Sequence, residues 1–229
     1  MLPGLDDGPV DLELALQLVL GLEAIGFTDI YPTPHQKDGA WAPTTAERTA
    51  AAQELSDGLH QVESVVTIHP PGGENMWDDL FLNRLEDRSY PTYPAGKSFL
   101  LELRPDILPP KIDEQLFRFR IEGSLPVLAH VERYPTLVKD QQRLRAIGRS
   151  AALLVNLPTL GGGSGFWSRR TARRLVQQGL VHAVATDTHQ VEDLTYCRLG
   201  LEWLRRRELV QRMLWDNPLK ILAGELPDL

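Results

Sequence analysis

The chain has 229 residues, 42% of them hydrophobic and 24% charged, and a formal net charge of −7, a balance that fits one soluble α/β domain across 1–229 and argues against disorder or membrane insertion. An acidic chain repels a phosphate backbone, so nucleic acid is not expected as a partner. Cys197 is the only cysteine; it excludes an internal disulfide and a Cys-cluster zinc site, and together with a start, Met1–Gly8, that lacks signal-peptide features it points to a reducing cytoplasm.

In chain order, Leu12, Ala15, Leu16, Val19 and Leu22 recur at helical spacing up to a stop at Gly26. Glu13, Gln17 and Glu23 interrupt this apolar stretch, which makes it amphipathic rather than membrane-spanning. A strand Phe27–Tyr31 follows, closed by Pro32 and Pro34 just before His35. Pro43 and Thr44 open a helix predicted to run to about Ser56, ahead of a strand Val62–Ile68. The turn Pro70–Gly73 then delivers Glu74. Next come a helix Trp77–Leu85, a strand Phe99–Leu103 that holds Glu102, a helix Ile112–Ile121 and a strand Pro126–Ala129. A helix Gln141–Gly148, a strand Leu153–Asn156, a glycine-rich loop, a helix Ser168–Gln178 and a strand Val181–Thr186 complete the pattern. Alternating strands and helices of this kind mark a parallel α/β fold.

Ligand-type side chains stand almost wholly where these strands end: Asp7, His35, Glu74, Glu102, His130, Asp187 and His189. In an α/β barrel that is where functional groups collect, because the loops after the strands share one rim. Asp187 and His189, two apart on an extended chain, point to the same face. Carboxylates and imidazoles without thiolates favour Mn²⁺, Fe²⁺ or Mg²⁺, with Zn²⁺ as a further option. The set is too large for one ion, so two or three ions are expected, an arrangement that clamps attacking and leaving oxygens in phosphoryl transfer with a metal-bound hydroxide as nucleophile.

Other signals are weaker. Gly161–Gly165 could cradle a phosphate but lacks the Lys-Ser/Thr ending of a P-loop, and a plain loop competes with that reading. His60 reads as a surface residue, His69 as an outer group of the cluster, and His182 as a locally bonded strand residue. Cys197 lacks the surroundings of a cysteine phosphatase and reads as a small residue on a helix face. The basic runs Arg169-Arg170-x-x-Arg173-Arg174 and Arg205-Arg206-Arg207 read as solvated helix faces, with docking of an acidic phosphorylated tail as the sharper alternative.

The segments Leu2-Pro3-Gly4-Leu5-Asp6-Asp7-Gly8-Pro9, Thr33-Pro34-His35, Gly73-Glu74, Leu101-Glu102, Ala129-His130-Val131-Glu132-Arg133, Thr186-Asp187-Thr188-His189 and Asp216-Asn217-Pro218 resemble, in order, the polymerase-and-histidinol-phosphatase (PHP) superfamily. Within it they are most similar to the bacterial tyrosine phosphatases of capsule and exopolysaccharide loci, over essentially the whole chain. The resemblance implies a distorted, TIM-like (β/α)₇ barrel and a trinuclear, usually manganese-dependent site. It also implies a substrate, phosphotyrosine on an autophosphorylating bacterial tyrosine kinase that regulates capsule synthesis. By the resemblance Asp7, His35, Glu74, Glu102, His130, Asp187 and His189 fall on metal ligands, and Asp187 and His189 count with Arg133 as the catalytic set. Arg133 falls on a phosphate-binding position, against a bland reading as a surface ion pair with Glu132 or a neighbour. A second family arginine has Asp193 at its place here, which leaves Arg198 as the candidate on that side.

The family's opening His-x-His pair would lie immediately before Leu2, with Met1 just past its second histidine. Either the native start lies a few residues upstream or the first strand is truncated, and for the chain as written the expectation is one weak or empty metal position and weak activity. Two rivals share these residues: a small-molecule phosphomonoesterase of the histidinol-phosphatase kind, and a non-catalytic binding or regulatory module.

Overall fold

The computed structural model describes residues 1–229. Helix α1 (Leu12–Glu23) begins at Asp11, whose side chain accepts the Leu14 N–H, and turns Ala15, Leu18, Val19 and Leu22 into the core. Strands β1 (Asp29–Ile30) and β2 (His35–Gln36) are two pieces of one extended stretch, as are β3 (Thr67–Ile68) and β4 (Glu74–Met76). Prolines 32, 34, 70 and 71 break the ladder because they donate no N–H. Pairing nonetheless runs on across the break, through Gly72 N–H to Pro32 O and Glu74 N–H to Pro34 O.

Between these stretches lies α2 (Thr45–Gln61), opened by a capping box of Thr44 and Glu47. It runs five residues beyond the expected stop at Ser56, because Gly58 and Leu59 keep the buried face in register, and the strand expected over Val62–Ile68 shrinks to Thr67–Ile68. Helix α3 (Asp79–Asp87), β5 (Ser98–Glu102), α4 (Ile112–Ile121) and β6 (Leu125–Leu128) follow close to expectation. After a 3₁₀ turn (Val131–Arg133) come α5 (Pro135–Lys139), α6 (Gln141–Ile147) and β7 (Ala152–Asn156). The chain continues through α7 (Leu157–Gly161), α8 (Gly165–Gln177) and β8 (Ala183–Ala185). Helix α9 (Asp193–Arg205), a π-helical turn (Arg212–Asp216) and α10 (Asn217–Leu222) close it.

All strand pairs are parallel, in the orders β1-β3 and β2-β4-β5-β6-β7-β8. Joined through the proline breaks, they form one curled sheet of six extended stretches with helices outside. Its outer edges, β8 and β1, are not hydrogen-bonded to each other, and both line a cavity of about 470 Å³ whose walls are mainly apolar. No helix is long and apolar enough to cross a membrane.

Within the glycine cluster, Gly161 is a packing position. A Cβ on Gly161 would fall 1.9 Å from the Tyr196 carbonyl oxygen of α9, so only glycine lets α7 lie this close to α9.

Candidate metal centre

Each predicted ligand stands at one rim of the sheet. His35 opens β2 and pairs in register with Glu74, which opens β4, while Glu102 ends β5 opposite Met76. Glu74 and Met76 share a face, as do Leu100 and Glu102, so the two carboxylates converge from neighbouring strands. His130 and Asp187 lie two residues beyond the ends of β6 and β8, and both have a positive φ, +33° and +44°. A non-glycine residue pays of order 1–3 kcal/mol for such a conformation, and residues held this way cluster at functional sites. Here the turn swings each side chain from its strand into the cluster.

The groups interlock. His130 Nε2 lies 3.1 Å from Glu102 Oε1, and its Nδ1 lies 3.7 Å from Glu74 Oε1 and 3.8 Å from Asp187 Oδ2. Asp7 Oδ1 is 3.5 Å from His35 Nε2 and 3.4 Å from His189 Nε2, and the rings of His35 and His189 stack at 5.8 Å. Two triads have donor atoms all within 4.8 Å of one another: Asp7, His35 and His189, and His35, Glu74 and Glu102. His35 belongs to both. All seven predicted ligands are thus brought together.

Electrostatics make this arrangement incomplete as a purely protein assembly. Glu74 is buried, and its Oε1 has no hydrogen-bond partner. Burial, reinforced by the charges of Asp187 and Glu102, pushes its carboxyl well above the usual range. At Asp187 burial also opposes ionisation, but His130, His189, Arg133 and His35 outweigh it and hold the carboxyl below its ordinary value. Glu102 follows the same pattern, with burial overcome by the His130 hydrogen bond and charge. An orphaned buried carboxylate oxygen among oxygen and imidazole donors fits a divalent cation.

Arg133 reaches the cluster from the 3₁₀ turn. Its Nη2 lies 3.3 Å from Asp187 Oδ2 and its side chain is about half exposed, 46%, so the guanidinium is tethered at the mouth with donors to spare. Glu132 does not pair with it. That side chain is buried and accepts the Asn156 N–H at 3.1 Å. Asp193, the first residue of α9, fixes the loop before it by accepting the N–H groups of His189 and Gln190. Arg198 is exposed on α9 and makes no hydrogen bond or ion pair with the cluster.

Several residues outside the predicted set support the cluster. Asn156, at the end of β7, donates its side-chain amide to Asp187 Oδ2. Asp6 accepts the His35 N–H at 2.9 Å, and the Tyr134 hydroxyl accepts the Leu103 N–H at 3.0 Å, tying the end of β5 to the segment after β6. The rule that singles out ligands also covers Asn156, a polar residue closing the apolar strand Ala152–Val155. His69 stays outside the centre: it bonds Asp29 at 2.9 Å and stacks on Tyr31.

Residues 1–223 match the family described as capsular polysaccharide synthesis, CpsB/CapC. The chain belongs to the CpsB/CapC family. It is 26% identical over 194 residues to the tyrosine-protein phosphatase YwqE of Bacillus subtilis, covering 84% of this chain and 76% of that one. It is also 25% identical over 239 aligned positions to the tyrosine-protein phosphatase CpsB of Streptococcus pneumoniae, covering 96% and 95%. A crystal structure from work on YwqE and CpsB, described there as metal-dependent tyrosine phosphatases, matches with a TM-score of 0.88 at 23% identity, over 100% of this chain and 94% of that one. At that identity the likeness speaks for the fold, a distorted TIM-like α/β architecture.

Proposed function

We propose that this CpsB/CapC-family chain is a metal-dependent protein-tyrosine phosphatase, acting as one domain in the cytoplasm on phosphotyrosine of a bacterial tyrosine kinase that regulates capsule or exopolysaccharide synthesis. The observation that carries the reading is the convergence of seven oxygen and nitrogen donors on one rim, with Arg133 tethered at the mouth. The names of the relatives in Bacillus subtilis and Streptococcus pneumoniae support it.

Asp7, His35 and His189 would hold one cation, and His35, Glu74 and Glu102 a second, with His130 and Asp187 completing the shells. Mn²⁺ suits this mixed donor set, and Fe²⁺, Mg²⁺ and Zn²⁺ are the competitors. When bound, such ions supply Lewis-acid charge and an activated water. The chain's own groups supply position. Asp187 holds Arg133 through one amino group, which leaves the remaining guanidinium N–H donors free for the phosphate oxygens. Asn156 and Glu132 brace the ends of β7 and β8 so that Asp187 keeps its orientation. Because a phenol leaves with a pKa near ~10, less protonation is needed than for an alkyl alcohol. Arg198 would meet only a substrate long enough to extend over α9. We read the curled sheet as a distorted (β/α)₇ barrel with one strand position open between β8 and β1, where both edges line the cavity.

The test compares wild type and Arg133→Ala on a phosphotyrosine peptide, with histidinol phosphate as the small-molecule control. The wild type should favour the peptide. The variant should retain its metal and lose roughly 10²-fold in turnover, the scale of one charge-assisted contact to a developing oxyanion. Equal peptide turnover by both proteins would show that Arg133 only holds Asp187, and preference for histidinol phosphate would replace the substrate class.

A further inference from the structure

Two basic runs far apart in the sequence converge on a cleft that shares no residue with the metal centre. Arg169 and Arg173 of α8 face Arg206 and Arg207, which follow α9, across Trp203. The Trp203 ring is buried and carries two guanidiniums: the Arg173 guanidinium carbon stands 5.2 Å from its centroid and that of Arg207 4.1 Å. Arg173 is further fixed by donating Nε–H to Leu160 O at 2.9 Å, and Arg207 by donating to Trp203 O at 3.0 Å. Two of the four guanidiniums, those of Arg173 and Arg207, are therefore preorganised.

They also lack counter-charges. The arginine–carboxylate pairs of the molecule involve Arg88, Arg104, Arg118, Arg133 and Arg143, and none involves the arginines of α8 or of the 205–207 run. Glu202 is the one carboxylate in the cleft wall, against four guanidiniums. Like charges gathered in a chain of net charge −7 repel one another unless an anion joins them. Arg173 registers this: burial and then the charges of Arg169 and Arg207 lower its pKa.

Beside the cleft, Phe166 and Trp167 at the start of α8 are 57% and 76% exposed, and Arg169 sits over the Phe166 ring. Exposed aromatics next to unpaired cations call for a ligand with both apolar and acidic groups.

We infer that the α8–α9 arginine cleft is a docking surface for an acidic peptide segment. The further step that this segment belongs to the substrate rests on the phosphotyrosine phosphatase reading. Helix α9 starts next to the metal rim and ends at the cleft; its 13 residues span about 20 Å at 1.5 Å per residue. An extended peptide covers that distance in about six residues, so the acidic run sits roughly six residues from the phosphotyrosine. A flat anionic bilayer fits less well, because the guanidiniums are set into a cleft and two of them lie against the Trp203 ring.

The experiment uses the full chain, a fluorescein-labelled phosphotyrosine peptide with a glutamate run six to ten residues away, and the same peptide with glutamine in place of glutamate. By fluorescence anisotropy the wild type should bind the glutamate peptide roughly tenfold more tightly, and added salt should erase the difference, as expected for several rim charges acting together. The variant Arg169→Gln/Arg206→Gln/Arg207→Gln should lose that preference, and KM for the glutamate peptide should rise in parallel. Turnover of p-nitrophenyl phosphate, which needs only the metal centre, should stay within twofold. The milder Arg206→Gln should show part of the same loss. Equal binding of the two peptides by wild type overturns the inference, as does a triple variant that binds like wild type, or wild type that binds phosphatidylglycerol vesicles and ignores the peptide. Should no phosphate ester be turned over, the phosphatase reading falls and the anisotropy comparison alone decides the cleft.

Discussion

His130 and His182 are buried to nearly the same degree, 2% and 0% exposed, at opposite ends of the same curled sheet. Their company differs. His182, just before β8, accepts the Leu153 N–H on Nδ1 at 2.9 Å, while its carbonyl accepts the Asn217 side-chain amide. Burial depresses its pKa to about 4, only partly offset by a backbone contact at Gly148 and by Asp228, so the ring is neutral at ordinary pH. His130 instead has Glu102, Glu74 and Asp187 within 3.1–3.8 Å. Packed acids of that kind repel one another, and the cluster gains from a bound cation. Burial alone thus says little about role; the charge of the neighbours separates a structural imidazole from a candidate ligand.

Removing each imidazole breaks the comparison most sharply. His130→Ala, and equally Asp187→Ala, should weaken Mn²⁺ binding by more than the roughly 10- to 100-fold typical of outer-shell changes, read as metal content after dialysis. His182→Asn should leave metal content at the wild-type level, because nothing it touches reaches the rim. Equal metal loss in all three would mean general unfolding, and no loss in His130→Ala or Asp187→Ala would remove them from the ligand set.

A smaller effect sharpens the other half. The folded pKa of His182, about 4, lies below the unfolded value of about 6.5. Between the two, the unfolded chain takes a proton that the folded chain refuses. Its contribution to stability is therefore fully present above about pH 7 and is lost as pH falls through that window. From pH 7 to pH 5 this amounts to about 2 kcal/mol. Urea unfolding at the two pH values should show that extra acid sensitivity in wild type and not in His182→Asn, in which an amide oxygen can still accept the Leu153 N–H. Identical pH dependence in the two proteins would mean that His182 is not held neutral.

The same contrast explains what was legible in the sequence. Most of the candidate ligands could be read because they sit where an extended stretch ends or just beyond it, as Glu102, His130 and Asp187 do, and parallel strand direction sends those ends to one rim; Asp7, in the turn before α1, carries no such signal. Helix α4 was predicted over its full observed range, since its start, stop and periodicity agree. The end of α2 was not, because Val62 and Val65 look like strand residues and only tertiary packing of Leu59 extends the helix. Asn156 and Tyr134 went unassigned because their roles depend on partners 31 residues away in the chain. The pairing of Arg133 with Asp187 rather than Glu132 likewise depends on how β6 and β8 converge.

Cys197 gives the smallest effect and the cleanest exclusion. It sits with His182 on the structural side: fully buried on α9, with burial first and then the charges of Asp193 and Asp187 pushing its thiol up to about 12. At neutral pH a thiol of that pKa is ionised to roughly one part in 10⁵, far too little for a nucleophile. A cysteine-based phosphatase needs the opposite, an exposed thiolate stabilised by cations. Cys197→Ala should therefore keep phosphotyrosine-peptide turnover within about twofold of wild type, and the native thiol should resist Ellman's reagent until the chain is unfolded. Loss of turnover with the thermal midpoint unchanged would place the sulfur in the reaction and overturn the assignment of catalysis to the rim donors.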